Sequence, residues 1–174
     1  MSIFGTLARA EAKVFLGKVQ TDDEEEDNLL TTMSRGVQMM ANFTISEDTS
    51  SDDYDVIVLP GGVQGAKNFA GSKTLTNLVR NHLESGKVLG AICATPALFL
   101  EANGLLEGYK ATWYPSLAEK LTDQSKAKER IVISDNLITG NGPATAVDFS
   151  IAIVEKIWGL DKAQKVARSM STKF

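Results

Sequence analysis

Cysteine and histidine are almost absent from this chain. It has one cysteine, Cys93, and one histidine, His82. One thiol cannot close an internal disulfide, and it points to a reducing, cytosolic setting. One Cys and one remote His cannot make a zinc site of the usual composition. Basic residues are not in excess, since the net charge is -4, so no electrostatic footprint for nucleic acid is present. No apolar run approaches the ~20 residues that span a bilayer. The N-terminus lacks a basic stretch followed by an apolar core, so no secretory leader is expected. What remains is 174 residues with ordinary apolar and charged fractions of 43% and 23%. That length suits one domain, residues 1–174, burying roughly 70% of its unfolded surface.

Strand-like and helix-like segments alternate. Asp55-Val-Ile-Val-Leu-Pro60 reads as a buried strand halted by Pro60-Gly61-Gly62. Residues 74–84 place Leu75, Leu78, Val79 and Leu83 at helical spacing, with Ser72 as cap and Gly86 as stop. Lys87-Val-Leu-Gly-Ala-Ile-Cys93 is a second buried strand. A helix is expected from Ala97 to Ala102, and further strands at Lys13–Val19 and Lys110–Pro115. Arg130–Ser134 and Asn136–Thr139 read as a hairpin. A final helix covers Ala146–Trp158, with Val147, Ile151, Val154 and Trp158 on one face and a capping-box-like Thr145/Asp148 pair. The order predicts a three-layer α/β domain with a mainly parallel sheet, which binds ligands beyond the carboxyl ends of its strands. The acidic run at 22–27 reads as a solvated turn.

Cys93 sits at such an end, where a strand turns into Ala94-Thr95-Pro96. A sharp strand-to-helix turn exposes a nucleophile, and a helix N-terminus stabilises negative charge on sulfur. The alternative is a small buried apolar residue, a common fate of free cysteine. Gly61-Gly62 and the Ala94 amide could form an oxyanion site; Gly61-Gly62 could equally be a plain turn. Tyr114 and Asn141 fall at pocket-rim positions, Tyr114 offering either a hydrogen bond or packing. His82 belongs to the opposite end of the sheet and reads as a surface or boundary residue, which argues against a Cys–His dyad.

Four segments, Asp55–Gly62, Gly65-Ala66, Gly90–Pro96 and Thr139–Thr145, together resemble the ThiJ/PfpI superfamily, in the branch of the parkinsonism-associated protein deglycase and bacterial YajL. The resemblance implies a flavodoxin-like sandwich, a homodimer, and a nucleophilic, oxidation-sensitive Cys93. It implies glyoxalase III or deglycase activity on methylglyoxal or glycation adducts, with an oxidative-stress role and no metal or organic cofactor. A redox-sensing or chaperone-like protein without turnover, or an inactive member, is the competing expectation. Ser34-Arg35-Gly36 matches a segment near the pocket and dimer interface of relatives, so Arg35 is either an anion-binding group or a surface arginine. The sequence departs from the family in three places. Tyr114 stands where many members have histidine, and Asn141 where many have arginine. Met1 aligns inside the first family helix, so the first strand and the glutamate that hydrogen-bonds the cysteine have no counterpart. Losing that strand would leave an open groove of unpaired backbone groups, so a shortened or spliced form of the chain, or a sheet closed by rearrangement, is expected.

Overall fold

The computed structural model describes residues 2–21 and 28–172. The acidic run at 22–27 lies outside them. In chain order the elements are α1 (Ser2–Arg9), β1 (Gly17–Lys18), β2 (Leu30–Thr32), β3 (Gln38–Met40), β4 (Phe43–Thr44), β5 (Val56–Leu59), α2 (Val63–Gly71) and α3 (Lys73–Glu84). They continue with β6 (Val88–Ile92), β7 (Ile131–Ser134), β8 (Leu137–Gly140), α4 (Ala146–Trp158) and α5 (Leu160–Ser169).

The central sheet has the order β5-β6-β8-β7. β5, β6 and β8 run parallel and β7 antiparallel, with Ile57 beside Leu89 and Gly90 beside Ile138. Every residue of β6 is buried, as expected for a parallel strand covered on both faces. Its side chains alternate between two cores. Leu89 and Ala91 join Leu75, Val79, Phe99, Leu100 and Trp113 on the α3 face. Val88 and Ile92 join Leu7, Phe149, Ile153 and Val166 on the face covered by α1, α4 and α5. This is the three-layer sandwich predicted from the alternating pattern. Gly90 has no side chain because Phe149 takes that space: a Cβ there would lie 2.8 Å from the Phe149 ring.

The sheet is not closed by rearrangement. Among the described residues β1 and β4 pair only with each other, in parallel, and β2 with β3 as a separate antiparallel hairpin. β5 is thus an edge among the described residues, and Val56, Ile57 and Val58 are only half-buried.

Several local expectations are corrected. The 13–19 strand shrinks to Gly17–Lys18. Residues 110–115 form no strand before the 3-10 turn beginning at Pro115. There the Thr112 amide donates to the Thr139 side chain (2.9 Å) and the Lys110 amide to the Ser134 side chain (3.1 Å). These side-chain acceptors replace a ladder. The run after Cys93 is a five-residue π-helical turn, Pro96–Leu100, followed by a 3-10 turn. Trp158 is 42% exposed although its helix face is otherwise apolar. The Thr145/Asp148 capping box does not form: Thr145 donates to the Gly142 carbonyl, and Asp148 pairs with Arg130 at 2.8 Å. α2 and α5 were not anticipated. Ser72, by contrast, caps α3 as predicted, accepting from the Leu75 amide.

Candidate active site

β5 and β6 end side by side, and their exits build the site. β5 leaves through Pro60-Gly61-Gly62, and β6 through Cys93-Ala94-Thr95. The Cys93 amide donates to the Gly140 carbonyl at 2.8 Å, and its carbonyl accepts from the Tyr114 amide at 2.8 Å. These two bonds hold Cys93 at φ +68, a left-handed conformation that a non-glycine residue rarely adopts. A strained backbone of this kind costs of order 1–3 kcal/mol and tends to mark functional positions. The thiol is free and partly exposed.

Gly61 forms a wall against it. A Cβ on Gly61 would lie 2.5 Å from the Cys93 Cβ and 3.3 Å from its Sγ. Gly62 follows at φ +113. The Thr95 hydroxyl donates to the Pro60 carbonyl at 2.5 Å and locks the two strand exits together. Among the described residues, neither the Gly62 nor the Ala94 amide hydrogen has a protein acceptor. Two unbonded backbone donors therefore lie in the two turns that meet at Cys93, one in the residue after it and one in the residue after Gly61.

The other residues expected at the site come from other elements. Tyr114 is 39% exposed, and its ring lies 3.6 Å from where a Gly142 side chain would begin. Its hydroxyl makes no hydrogen bond among the described residues. Asn141 follows β8, half-buried, with its amide donating to the Arg130 carbonyl. Ser34-Arg35-Gly36 forms a tight turn at the tip of the β2–β3 hairpin. Arg35 is exposed and its guanidinium has no partner among the described residues. Ser34, not Arg35, is the residue of this turn that reaches the glycine wall: its Oγ would be 2.5 Å from a Cβ on Gly62.

One correction concerns the chemistry. His82 is not a surface residue. It is fully buried, and Nε2 donates to the Val88 carbonyl at 3.0 Å. Burial pushes its pKa down, partly offset by that carbonyl. Its bond to the first residue of β6 keeps it at the far end from Cys93, so no Cys–His dyad forms. The helical segment expected after Cys93 is present as a π-helical turn, with the Leu98 amide donating to the Ala94 carbonyl at 2.9 Å. No carboxylate or imidazole hydrogen-bonds the Cys93 thiol among the described residues, and no cluster of His, Cys, Asp or Glu suited to a metal occurs there. No helix among them is long and apolar enough to cross a membrane. Thr95 and Ser34 were not singled out from sequence; a hydroxyl beside a strand-end cysteine is the signal for Thr95.

Residues 1–156 match the DJ-1/PfpI family. The chain belongs to that family. It is 41% identical to protein DJ-1 homolog B of Arabidopsis thaliana over 169 residues, covering 97% of this chain and 37% of that protein. The chain thus spans about two fifths of the length of the Arabidopsis relatives it matches. It is 32% identical over 154 residues to the glutathione-independent glyoxalase DJ-1 of Schizosaccharomyces pombe, covering 84% of this chain and 80% of that one. Among solved structures, oxidized Toxoplasma gondii DJ-1 superposes with a TM-score of 0.88 at 34% identity, covering 99% of this chain and 90% of that one. Family membership and the α/β sandwich agree with the sequence reading.

Proposed function

We propose that this chain is a cysteine-dependent glyoxalase III or deglycase-type enzyme acting on 2-oxoaldehydes, methylglyoxal above all, or on glycation adducts. The observation that carries the reading is Cys93 held at φ +68 against Gly61, beside the free amides of Gly62 and Ala94. Two relatives named as glutathione-independent glyoxalases, from fission yeast and Caenorhabditis elegans, support the reaction class.

The sulfur of Cys93 adds to the aldehyde carbon. An S–C bond forms, the C=O π bond opens, and the oxyanion accepts from Gly62 and Ala94 before taking a proton from water. The former aldehyde hydrogen then leaves as a proton and a proton returns at the neighbouring carbon. The 2-oxo hemithioacetal becomes a 2-hydroxy thioester, with one carbon oxidised and the other reduced. Water hydrolyses the thioester to a 2-hydroxy acid and frees the thiol. With no side-chain base hydrogen-bonded at Cys93 among the described residues, this reading makes water the proton acceptor and turnover slow. This reading assigns Tyr114, Asn141 and Arg35 to binding the substrate beside Cys93. A homodimer in a reducing, cytosolic setting belongs to this reading, and light scattering checks the assembly.

The test is NMR detection of lactate from methylglyoxal. Cys93→Ala abolishes it; turnover that survives in that variant refutes the reading. The half-buried Cys93, whose thiol has no partner among the described residues, favours one second reading, oxidation by peroxide to sulfinic acid without turnover. Intact mass after low peroxide, read beside the lactate assay, separates the two.

A further inference from the structure

Ser34 arrives at the glycine wall from a part of the chain that contributes nothing else to it. The β2–β3 hairpin closes through the Met33 amide donating to the Val37 carbonyl at 2.7 Å, and the Gly36 amide to the Met33 carbonyl at 3.1 Å. Between these bonds Arg35 and Gly36 stand at φ +67 and +78. Gly36 takes this conformation without cost, whereas Arg35 is strained. The turn so built puts the Ser34 hydroxyl against Gly62, where a Cβ would be 2.5 Å from Oγ and 3.8 Å from the Ser34 Cβ. Any side chain at 62 would therefore drive Ser34 away. The hydroxyl is exposed and bonds to no other group among the described residues. An unused donor and acceptor thus lies over the Cα of Gly62, whose amide the reaction above uses, one residue along from the glycine that touches Cys93.

A 2-oxoaldehyde carries two adjacent carbonyl oxygens. The amides of Gly62 and Ala94 serve the oxygen of the attacked carbon, leaving its neighbour without a backbone donor. We propose that Ser34 is a substrate-positioning residue of this site, its hydroxyl donating to the second carbonyl oxygen of a 2-oxoaldehyde. This rests on the carbonyl-addition reading of Cys93. It gives the site a preference for 2-oxoaldehydes over simple aldehydes, because only the former has an oxygen for Ser34 to hold. A residue in this role affects adduct formation before any turnover occurs.

The experiment therefore reads the adduct itself. Cys93 is the only thiol, so intact mass follows its alkylation by iodoacetamide, with each protein compared against its own rate without aldehyde. Methylglyoxal and acetaldehyde are the protecting aldehydes. The wild-type chain is protected by methylglyoxal more strongly than by acetaldehyde. Ser34→Ala weakens methylglyoxal protection about five- to tenfold, the worth of one hydrogen bond. It leaves acetaldehyde protection unchanged, and Ser34→Thr, which keeps the hydroxyl, restores the difference. Equal protection of the wild-type chain and Ser34→Ala by methylglyoxal overturns the proposal alone. So does an equal loss for both aldehydes, which marks a merely structural role. A wild-type chain protected by neither aldehyde overturns the carbonyl-addition reading and this inference with it. Protection without lactate formation removes the turnover and leaves the Ser34 contact standing.

Discussion

The Thr95 hydroxyl donates to the Pro60 carbonyl at 2.5 Å, joining the turn after β6 to the exit of β5. Thr95 is fully buried. The bond fixes the distance between the glycine wall and the cysteine, and it is the only side-chain tie between those two turns among the described residues. Thr95→Val keeps the shape and removes the donor. The Pro60 carbonyl then loses its partner, at a cost of about 1–3 kcal/mol. Urea denaturation reads this as a lower midpoint at constant slope. Thr95→Ser keeps the donor and holds most of the stability.

Gly61 is next to Cys93 with no room for a methyl group. In Gly61→Ala the new Cβ meets the Cys93 Cβ at 2.5 Å and the Ile92 carbonyl at 3.1 Å. Backbone must move, at about 1–3 kcal/mol for overpacking. Cys93 alkylation changes its rate well beyond the change in global stability. Gly65→Ala, where a Cβ meets nothing within 4 Å, is the control. Equal alkylation in both variants would show that the wall does not shape the thiol.

His82 gives the stability of the protein a pH dependence with a definite sign. Burial holds its folded pKa below the ordinary 6.5. As pH falls below about 6.5 the unfolded chain takes up a proton that the folded chain refuses. Stability is therefore lost on acidification from 6.5 down to the folded pKa, with a slope of at most about 1.4 kcal/mol per pH unit from this group. Because His82 is the only histidine, subtracting the profile of His82→Gln isolates the effect. A wild-type profile parallel to that of the variant between pH 5 and 7 would contradict the assignment.

Arg130 and Asp148 pair at 2.8 Å with side chains 62% and 44% exposed. An exposed pair is worth about 0–1 kcal/mol and is screened by salt. Asp148→Asn lowers stability by no more than this, and the difference shrinks in 1 M salt. A cost of 2 kcal/mol or more would restore a capping role for Asp148.

Much of the fold was legible because its signals are local. The β-branched run Asp55–Leu59 and the apolar run Val88–Ile92 became β5 and β6, and Ser72 and Gly86 bracket α3 as read. His82 carried a signal that was not used. It falls seven residues after Leu75 and three after Val79, on the buried stripe of the same helix, yet its polar character suggested a boundary. Residues 110–115 misled in the opposite direction. Their composition suits a strand, but Thr139 and Ser134 side chains take their amides instead.

The sequence alone determined the family, the alternation of layers, and Cys93 at a strand end, because periodicity, glycine placement and residue type at a turn are properties of short stretches of chain. Only the tertiary structure decided which groups surround the sulfur. The left-handed backbone of Cys93 depends on Gly140 and Tyr114, the clamp on Thr95 and Pro60, and the position of Ser34 on a hairpin about 60 residues away in sequence. Contacts between distant segments depend on how layers pack, and packing is set by all the side chains together rather than by any window of them.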